Sequence, residues 1–249
     1  MSVAVVTGAS AGIGKALVLK LAEKGFNVAF CARRQERLDE LKSEVLKINQ
    51  DLKVLAKVVD LKEEKEILEF FEDIKTTFDS RIDVLVNNAG LGHPAPLIDD
   101  DRSTTAQWKE MFDVNVIALS ICTREAIQLM KKRNSGHVVH VSSMSAHRVK
   151  GSGMYAATKH AVRALTERLR QELREIDSDI RVSSISPGWV ETEFVTQYYQ
   201  GDEEKAQGVY GRYKCLESED IADAIMYTIC APPHVQIHDI LLRPLRQKE

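Results

Sequence analysis

Val3-Ala4-Val5-Val6-Thr7-Gly8-Ala9-Ser10-Ala11-Gly12-Ile13-Gly14 decides how this chain folds. The first four residues are apolar and rich in β-branching, as a short buried strand requires. After the glycines, Leu17, Leu21 and Ala22 return at helical spacing. Between a strand and a helix, three glycines permit a tight turn and close approach of the backbone to a ligand. The exposed N–H groups and the helix N-terminus there favour an anionic phosphate. The order strand, glycine turn, helix is the context in which such a turn reads as a phosphate cradle.

Outward from this turn the rhythm repeats. Short apolar runs recur at Asn27-Val28-Ala29-Phe30, Val54 to Val59, Val84-Leu85-Val86, His137 to Val141, Ile180 to Ile185 and Gln236 to Leu242. Several show little alternation, as expected of strands covered on both faces. Between them lie helical patterns: Leu38, Leu41, Val45 and Ile48; Ile67, Phe70, Phe71 and Ile74; Ala161, Val162, Leu165, Leu169 and Leu173. The alternation predicts an α/β fold, a single doubly wound domain over residues 1–249 with a seven-stranded parallel sheet and helices on both faces. One stretch, about 193–215, is polar, rich in Tyr and punctuated by Gly201, Gly208 and Gly211. A break of that length in a compact domain reads as a lid over a site.

Composition excludes several classes. The net charge of −3 gives no electrostatic case for nucleic acid. Lys131-Lys132-Arg133 reads as the last turn of a helix, where cations are favoured. No 18-residue apolar run offers a membrane span. The cysteines at 31, 122, 215 and 230 lack C-x-x-C spacing and read as reduced core residues. The histidines show no ligand spacing, and His137 and His140 fall on opposite sides of a strand, so no metal is expected. Without a leader or address pattern, the expected location is cytoplasmic.

The chemistry gathers at Tyr155-Ala156-Ala157-Thr158-Lys159, shortly after Ser142-Ser143. Residues four apart share a helix face. A phenol ordinarily titrates near pH ~10, and a neighbouring ammonium favours its ionised form. Phenol, ammonium and hydroxyl together pass a proton to or from an alcohol or carbonyl oxygen.

The turn's spacing is G-x-x-x-G-x-G, and there the chain resembles the short-chain dehydrogenases/reductases. Members carry T-G-x-x-x-G-x-G at the first turn and Y-x-x-x-K on a later helix. The chain has both in order, together with Asn87-Asn88-Ala89-Gly90, Asn115 in Phe112-Asp113-Val114-Asn115, and Pro187-Gly188. The resemblance spans nearly the whole chain. It implies Tyr155 as general acid/base, Lys159 as its cationic partner and ribose contact, Asn115 in a proton path, and a serine on the substrate oxygen. Members often read I-S-S with the second serine catalytic, which points to Ser143, whereas the commonest spacing to the Tyr points to Ser142; we adopt Ser143. For the cofactor it implies Gly8, Ser10, Gly12, Ile13 and Gly14 at the phosphates, Asp60 and Leu61 at the adenine, and Asn87, Ala89 and Gly90 beside them. Pro187, Gly188, Val190 and Thr192 follow at the nicotinamide end. In such folds an acid closing the second strand bonds the ribose hydroxyls. Ala32 stands there instead, followed by Arg33 and Arg34, whose guanidinium forks suit a 2′-phosphate; the cofactor expected is NADP(H).

The lid from Val190 to Ala206 and the ending Ile240-Leu241-Leu242-Arg243-Pro244 are similar to the serine/3-hydroxy acid dehydrogenase branch. That branch carries basic residues where this chain has Gln197, Tyr198, Tyr199 and Gln200, and losing them removes the main reason to bind an acid. Ser143-Met144-Ser145-Ala146-His147-Arg148-Val149 is similar to NADP-dependent relatives acting on prenyl alcohols and keto-steroids. The expected partner is thus a small, neutral, largely apolar alcohol or carbonyl substrate, in a pocket walled by Ser143, His93, Trp189, Phe194, Tyr198 and Tyr199. The alternatives are a 3-hydroxy acid dehydrogenase and a non-catalytic NADP-binding regulator. The family's habit implies a homodimer or homotetramer, with the face bearing Ala157, Ala161 and Ala164 available for close packing.

Overall fold

A computed structural model describes residues 1–98, 103–149 and 153–248. Seven strands form one parallel sheet: β1 (Val3–Thr7), β2 (Asn27–Ala32), β3 (Val54–Val58), β4 (Val84–Asn87), β5 (Gly136–Val141), β6 (Ile180–Pro187) and β7 (Asp239–Leu242). Their order across the sheet is β3-β2-β1-β4-β5-β6-β7. The order reverses between β1 and β4, and the crevice at the strand ends there is where such sheets bind ligands.

Helices cover both faces. On one lie α1 (Gly12–Glu23), α2 (Gln35–Ile48) and α9 (Ser218–Ile229). Their Leu17, Leu21, Leu38, Leu41 and Ile225 pack on Ala4, Val6, Val28 and Phe30. On the other lie α3 (Glu64–Thr77), α5 (Leu119–Lys131) and α6 (Gly153–Glu175). There Ile67, Phe70, Phe71, Ile121 and Leu173 pack on Val3, Val5, Ala29 and Val182. Successive residues of β1 and β2 therefore serve opposite cores, which is why these strands read as unbroken apolar runs. Each fully buried Leu or Phe contributes roughly 1.5–3 kcal/mol. Ile48 and Leu165, which continue two of the helical patterns, stand at the surface, because each lies at the edge of its helix's apolar stripe.

One local feature differs from the expected outline and two add to it. β7 begins at Asp239 rather than Gln236, because side chains pair the preceding residues with β6. Val182 N donates to Gln236 Oε1 at 3.0 Å, and Ser183 Oγ donates to the Ile237 carbonyl at 2.6 Å. The helix opened by α4 (Thr105–Phe112) runs on into α5 through a wide π turn at Asp113–Ala118. The stretch expected to form a lid is regular: α7 (Glu193–Tyr198) and α8 (Glu203–Tyr210). Thr192 and Asp202 cap these two helices, and the left-handed Gln200-Gly201 pair turns between them. Val195, Ala206 and Val209 give this segment a small core of its own, against Trp189, Phe194, Tyr199 and Tyr210.

Candidate active site

The turn after β1 is closed from two sides. Gly8 adopts φ +70°, and a Cβ there would stand 2.8 Å from Ala89 Cα; at Gly14 it would stand 2.4 Å from the Gly8 carbonyl oxygen. Neither position holds a side chain. Asn88 Nδ2 donates to the Thr7 and Gly8 carbonyls at 2.9 and 3.0 Å, fixing the turn against the end of β4. Gly8, Ser10, Gly12 and Ile13 line a cavity of about 500 Å³, with Arg33, Arg34, Asp60, Leu61, Ala89 and Gly90 around it. Arg34 Nη2 donates to Ser10 Oγ at 3.0 Å, and its Nη1 meets Glu193 Oε2 of the lid at 2.8 Å. Asp60 Oδ1 accepts the Lys62 N–H at 3.0 Å, the local turn expected of a strand-ending Asp.

A second cavity of about 340 Å³ adjoins the first and shares Ile13, Asn88, Gly90, Thr192 and Phe194 with it. Tyr155 and Lys159 of α6 form part of its wall, with Ser142 and Ser143 beside them just past the end of β5. Lys159 is 4% exposed; its Nζ donates to the Val141 carbonyl at 3.0 Å and lies 5.8 Å from the Tyr155 ring centroid. Burial holds this ammonium at about 8, below its ordinary 10.5. Burial also pushes the Tyr155 phenol up to about 12, against a hydrogen bond from Ser143 that lowers it. The expectation that Lys159 brings the phenol down is thus overridden by desolvation here, and Tyr155 is an acid at neutral pH. Ser143 is the serine joined to Tyr155, and its Oγ also accepts the Ser145 N–H at 3.1 Å. The Ser142 hydroxyl is buried, with no hydrogen-bond partner among the described residues.

Asn115 lies within the π turn and is 1% exposed. Its Nδ2 donates to the Leu91 carbonyl at 2.8 Å and Thr158 Oγ1 at 3.0 Å, and its Oδ1 accepts the Leu91 N–H at 2.9 Å. The amide therefore ties the loop after β4 to α6, one residue from Lys159. Gly90 fits between them: a Cβ there would lie 3.3 Å from Asn115 Oδ1 and 3.5 Å from Lys159 Nζ.

Residues 2–203 match the short chain dehydrogenase family. The chain belongs to that family. This short-chain dehydrogenase is 46% identical to dehydrogenase/reductase SDR family member 11 of Homo sapiens over 249 residues, 98% of this chain and 94% of that protein. It is 40% identical to farnesol dehydrogenase of Aedes aegypti over 250 residues, 99% of this chain and 97% of the relative. Among solved structures, it resembles the closed form of serine dehydrogenase complexed with NADP+, at a TM-score of 0.90 and 32% identity, covering 99% of this chain and 96% of that one.

Pro187, Gly188, Trp189, Val190 and Thr192 of this short-chain dehydrogenase line the second cavity, as do Phe194 and Tyr198. The Phe194 ring lies 5.7 Å from that of Tyr155 and 6.4 Å from that of Tyr198. Three expected residues sit elsewhere. Asn87 points into the core, where its Nδ2 donates to Thr123 Oγ1 at 2.9 Å, and its neighbour Asn88 faces both cavities. His93 turns to Glu110, with Nε2 3.0 Å from Oε2. Tyr199 packs edge-on against Tyr198, with ring centroids 5.0 Å apart, inside the lid's own core.

The sequence reading missed several contributors. Met144 and Arg148 line the cavity from the segment after Ser143, and Gln247 enters it from beyond β7. Gly92 underlies the aromatic wall, where a Cβ would stand 2.9 Å from Tyr198, 3.1 Å from Tyr155 and 3.2 Å from Phe194. Met144 and Arg148 lay in a segment already singled out, whereas Gln247 carried no signal. Among the described residues no group of His, Cys, Asp and Glu is arranged to hold a metal ion. No helix among them is long and apolar enough to cross a membrane.

Proposed function

We propose that the protein is an NADP(H)-dependent oxidoreductase interconverting a neutral, largely apolar alcohol and its carbonyl compound. One observation carries the reading: Tyr155, joined to Ser143 and backed by the Lys159 ammonium, stands where a glycine-cradled cavity meets an apolar one. The residues fit the cofactor. Gly8 and Gly14 let the turn close against Ala89 and upon itself, and the N-terminus of α1 that it leads into suits a pyrophosphate. Arg33 and Arg34 offer guanidinium forks to a 2′-phosphate, with Ser10 hydrogen-bonded to the second. Asp60 and Leu61 suit the adenine end; Lys159, Pro187, Gly188 and Val190 suit the nicotinamide end. The similarity to a serine dehydrogenase complexed with NADP+ supports the choice. When bound, the cofactor supplies or accepts the hydride.

The chain's own groups handle the proton and the substrate. Tyr155 remains a protonated phenol at neutral pH and donates to the carbonyl oxygen as it gains charge. The Ser143 hydroxyl orients that oxygen. The Lys159 ammonium stabilises the phenolate left behind. Asn115 holds the Leu91 loop and the start of α6 in register.

For the substrate, Met144, Trp189, Phe194, Val195 and Tyr198 form a mostly apolar wall, and the similarity to a farnesol dehydrogenase agrees with it. A panel of terpenoid alcohols, steroid ketones and 3-hydroxy acids, assayed with NADP+ and NADPH, tests the reading. Preference for the apolar members supports it. Equal or better turnover of hydroxy acids overturns it and favours the second reading, an acid substrate, which Arg148 on the cavity wall supports. Tight NADPH binding with no turnover of any carbonyl marks a regulator instead. Ala157 and Ala164 are exposed on α6 beside partly buried Ala161, which supports assembly as a homodimer or homotetramer. Light scattering after gel filtration decides it, and a monomeric mass defeats it.

A further inference from the structure

Past β7 the chain turns, with Gln247 N donating to the Pro244 carbonyl at 3.0 Å, and folds back under the loop that follows β6. Gln247 is only 8% exposed although Arg246 and Lys248 beside it are exposed. Its Oε1 accepts the Trp189 N–H at 3.2 Å. The loop is fastened again one residue earlier, where Gly188 N donates to the Leu242 carbonyl at 2.7 Å. Gly188 has no side chain where one would collide: a Cβ there would lie 2.3 Å from Gln247 Oε1 and 2.7 Å from Arg243 Cβ. Both Gln247 and Trp189 line the cavity that holds Tyr155 and Ser143.

We propose that Gln247 is a positioning residue for substrate selection. Its amide oxygen fixes the Trp189 backbone, and with it the indole that walls the cavity. A polar side chain in so buried a place requires a partner, and among the described residues the Trp189 N–H has no backbone acceptor to take it. The wall facing the substrate is therefore set by a residue far outside the motif-bearing part of the chain. The inference rests on the oxidoreductase reading for its kinetic consequence but not for the clamp itself.

Gln247→Met keeps the bulk and removes the acceptor; Gln247→Glu keeps an oxygen at the same place. With an apolar carbonyl substrate and NADPH, Gln247→Met raises KM about fivefold, the scale of one lost buried hydrogen bond. Its kcat and NADPH affinity stay within about twofold, because the bond lies outside the proton-transfer group. Gln247→Glu returns KM towards the wild-type value. In a Trp108→Phe background, which leaves Trp189 as the sole tryptophan, emission shifts to the red in Gln247→Met and not in Gln247→Glu. An unchanged KM and emission in Gln247→Met overturns the proposal, as does a Gln247→Glu variant that behaves like Met. If Gln247→Met does not fold, removal of residues 246–249 is read by the same two measurements. A protein that neither binds NADPH nor reduces carbonyls defeats the functional reading, while Trp189 emission still decides the clamp.

Discussion

Replacing Lys159 by Met separates the site's cost to stability from its use. The lysine is 4% exposed, and burial lowers its ammonium from 10.5 to about 8. That difference corresponds to about 3 kcal/mol, at roughly 1.4 kcal/mol per pH unit. The charge also makes a hydrogen bond to the Val141 carbonyl, worth about 1.5–3 kcal/mol when made to a charged group. Lys159→Met removes both, so the variant is expected to be more stable than wild type near pH 7 by up to about 1–2 kcal/mol. The pH dependence is the sharper test. A base whose folded pKa is lowered binds fewer protons folded than unfolded between about 8 and 10.5. Wild-type stability attributable to Lys159 therefore rises with pH through that window and is lowest below it. Tyr155, raised to about 12, works the other way above pH ~10, and subtracting the variant from wild type largely cancels it. Urea unfolding of both proteins at intervals from pH 6 to 10 measures the difference. The advantage of Lys159→Met should shrink steadily above pH 8 and be largest at pH 6. A difference that is flat with pH, or that grows above pH 8, refutes the reasoning.

Tyr155→Phe should lower kcat for carbonyl reduction by about 10²–10⁴, the worth of a positioned general acid, with NADPH affinity unchanged in a fluorescence titration. Ser143→Ala should lower kcat far more than Ser142→Ala in the same steady-state assay, since only Ser143 is hydrogen-bonded to Tyr155; equal losses would reopen the choice of serine. Arg34→Ala should weaken NADPH by about tenfold or more and leave NADH nearly unchanged, as loss of a charge-assisted bond to phosphate predicts; calorimetric titration of both nucleotides reports it. Gly92→Ala places a methyl 2.9–3.2 Å from three aromatic rings. It should raise KM for bulky substrates more than for small ones, as seen in a graded ketone series.

Much of this was written in the chain. The glycine turn, the unbroken apolar strands and the Tyr155–Lys159 spacing are local patterns, and local patterns survive translation into three dimensions. Asn87 and His93 were misplaced for a different reason. At the end of β4 one residue separates the core face from the crevice, and no local rule says which of two adjacent asparagines faces in. His93 found a carboxylate on another element, Glu110 of α4, before it could reach the cavity. Tyr198 and Tyr199 pose the same problem on one turn of helix: the first lines the cavity and the second its own lid core. Gln247 illustrates the limit most plainly. Its role depends on where β7 ends and which loop it meets, and nothing in Arg246-Gln247-Lys248 announces either.

The π turn at Asp113–Ala118 couples the two ends of the helix it interrupts. Such a turn holds one residue more than the α-helix around it. Removing that residue would restore the regular ladder, yet would rotate everything on one side of it by about 100° relative to the other. Asn115 would leave Leu91, or α4 would lose its seat, while the core residues of α5 stayed packed. The extra residue is thus held in place by the two elements docked on either side of it.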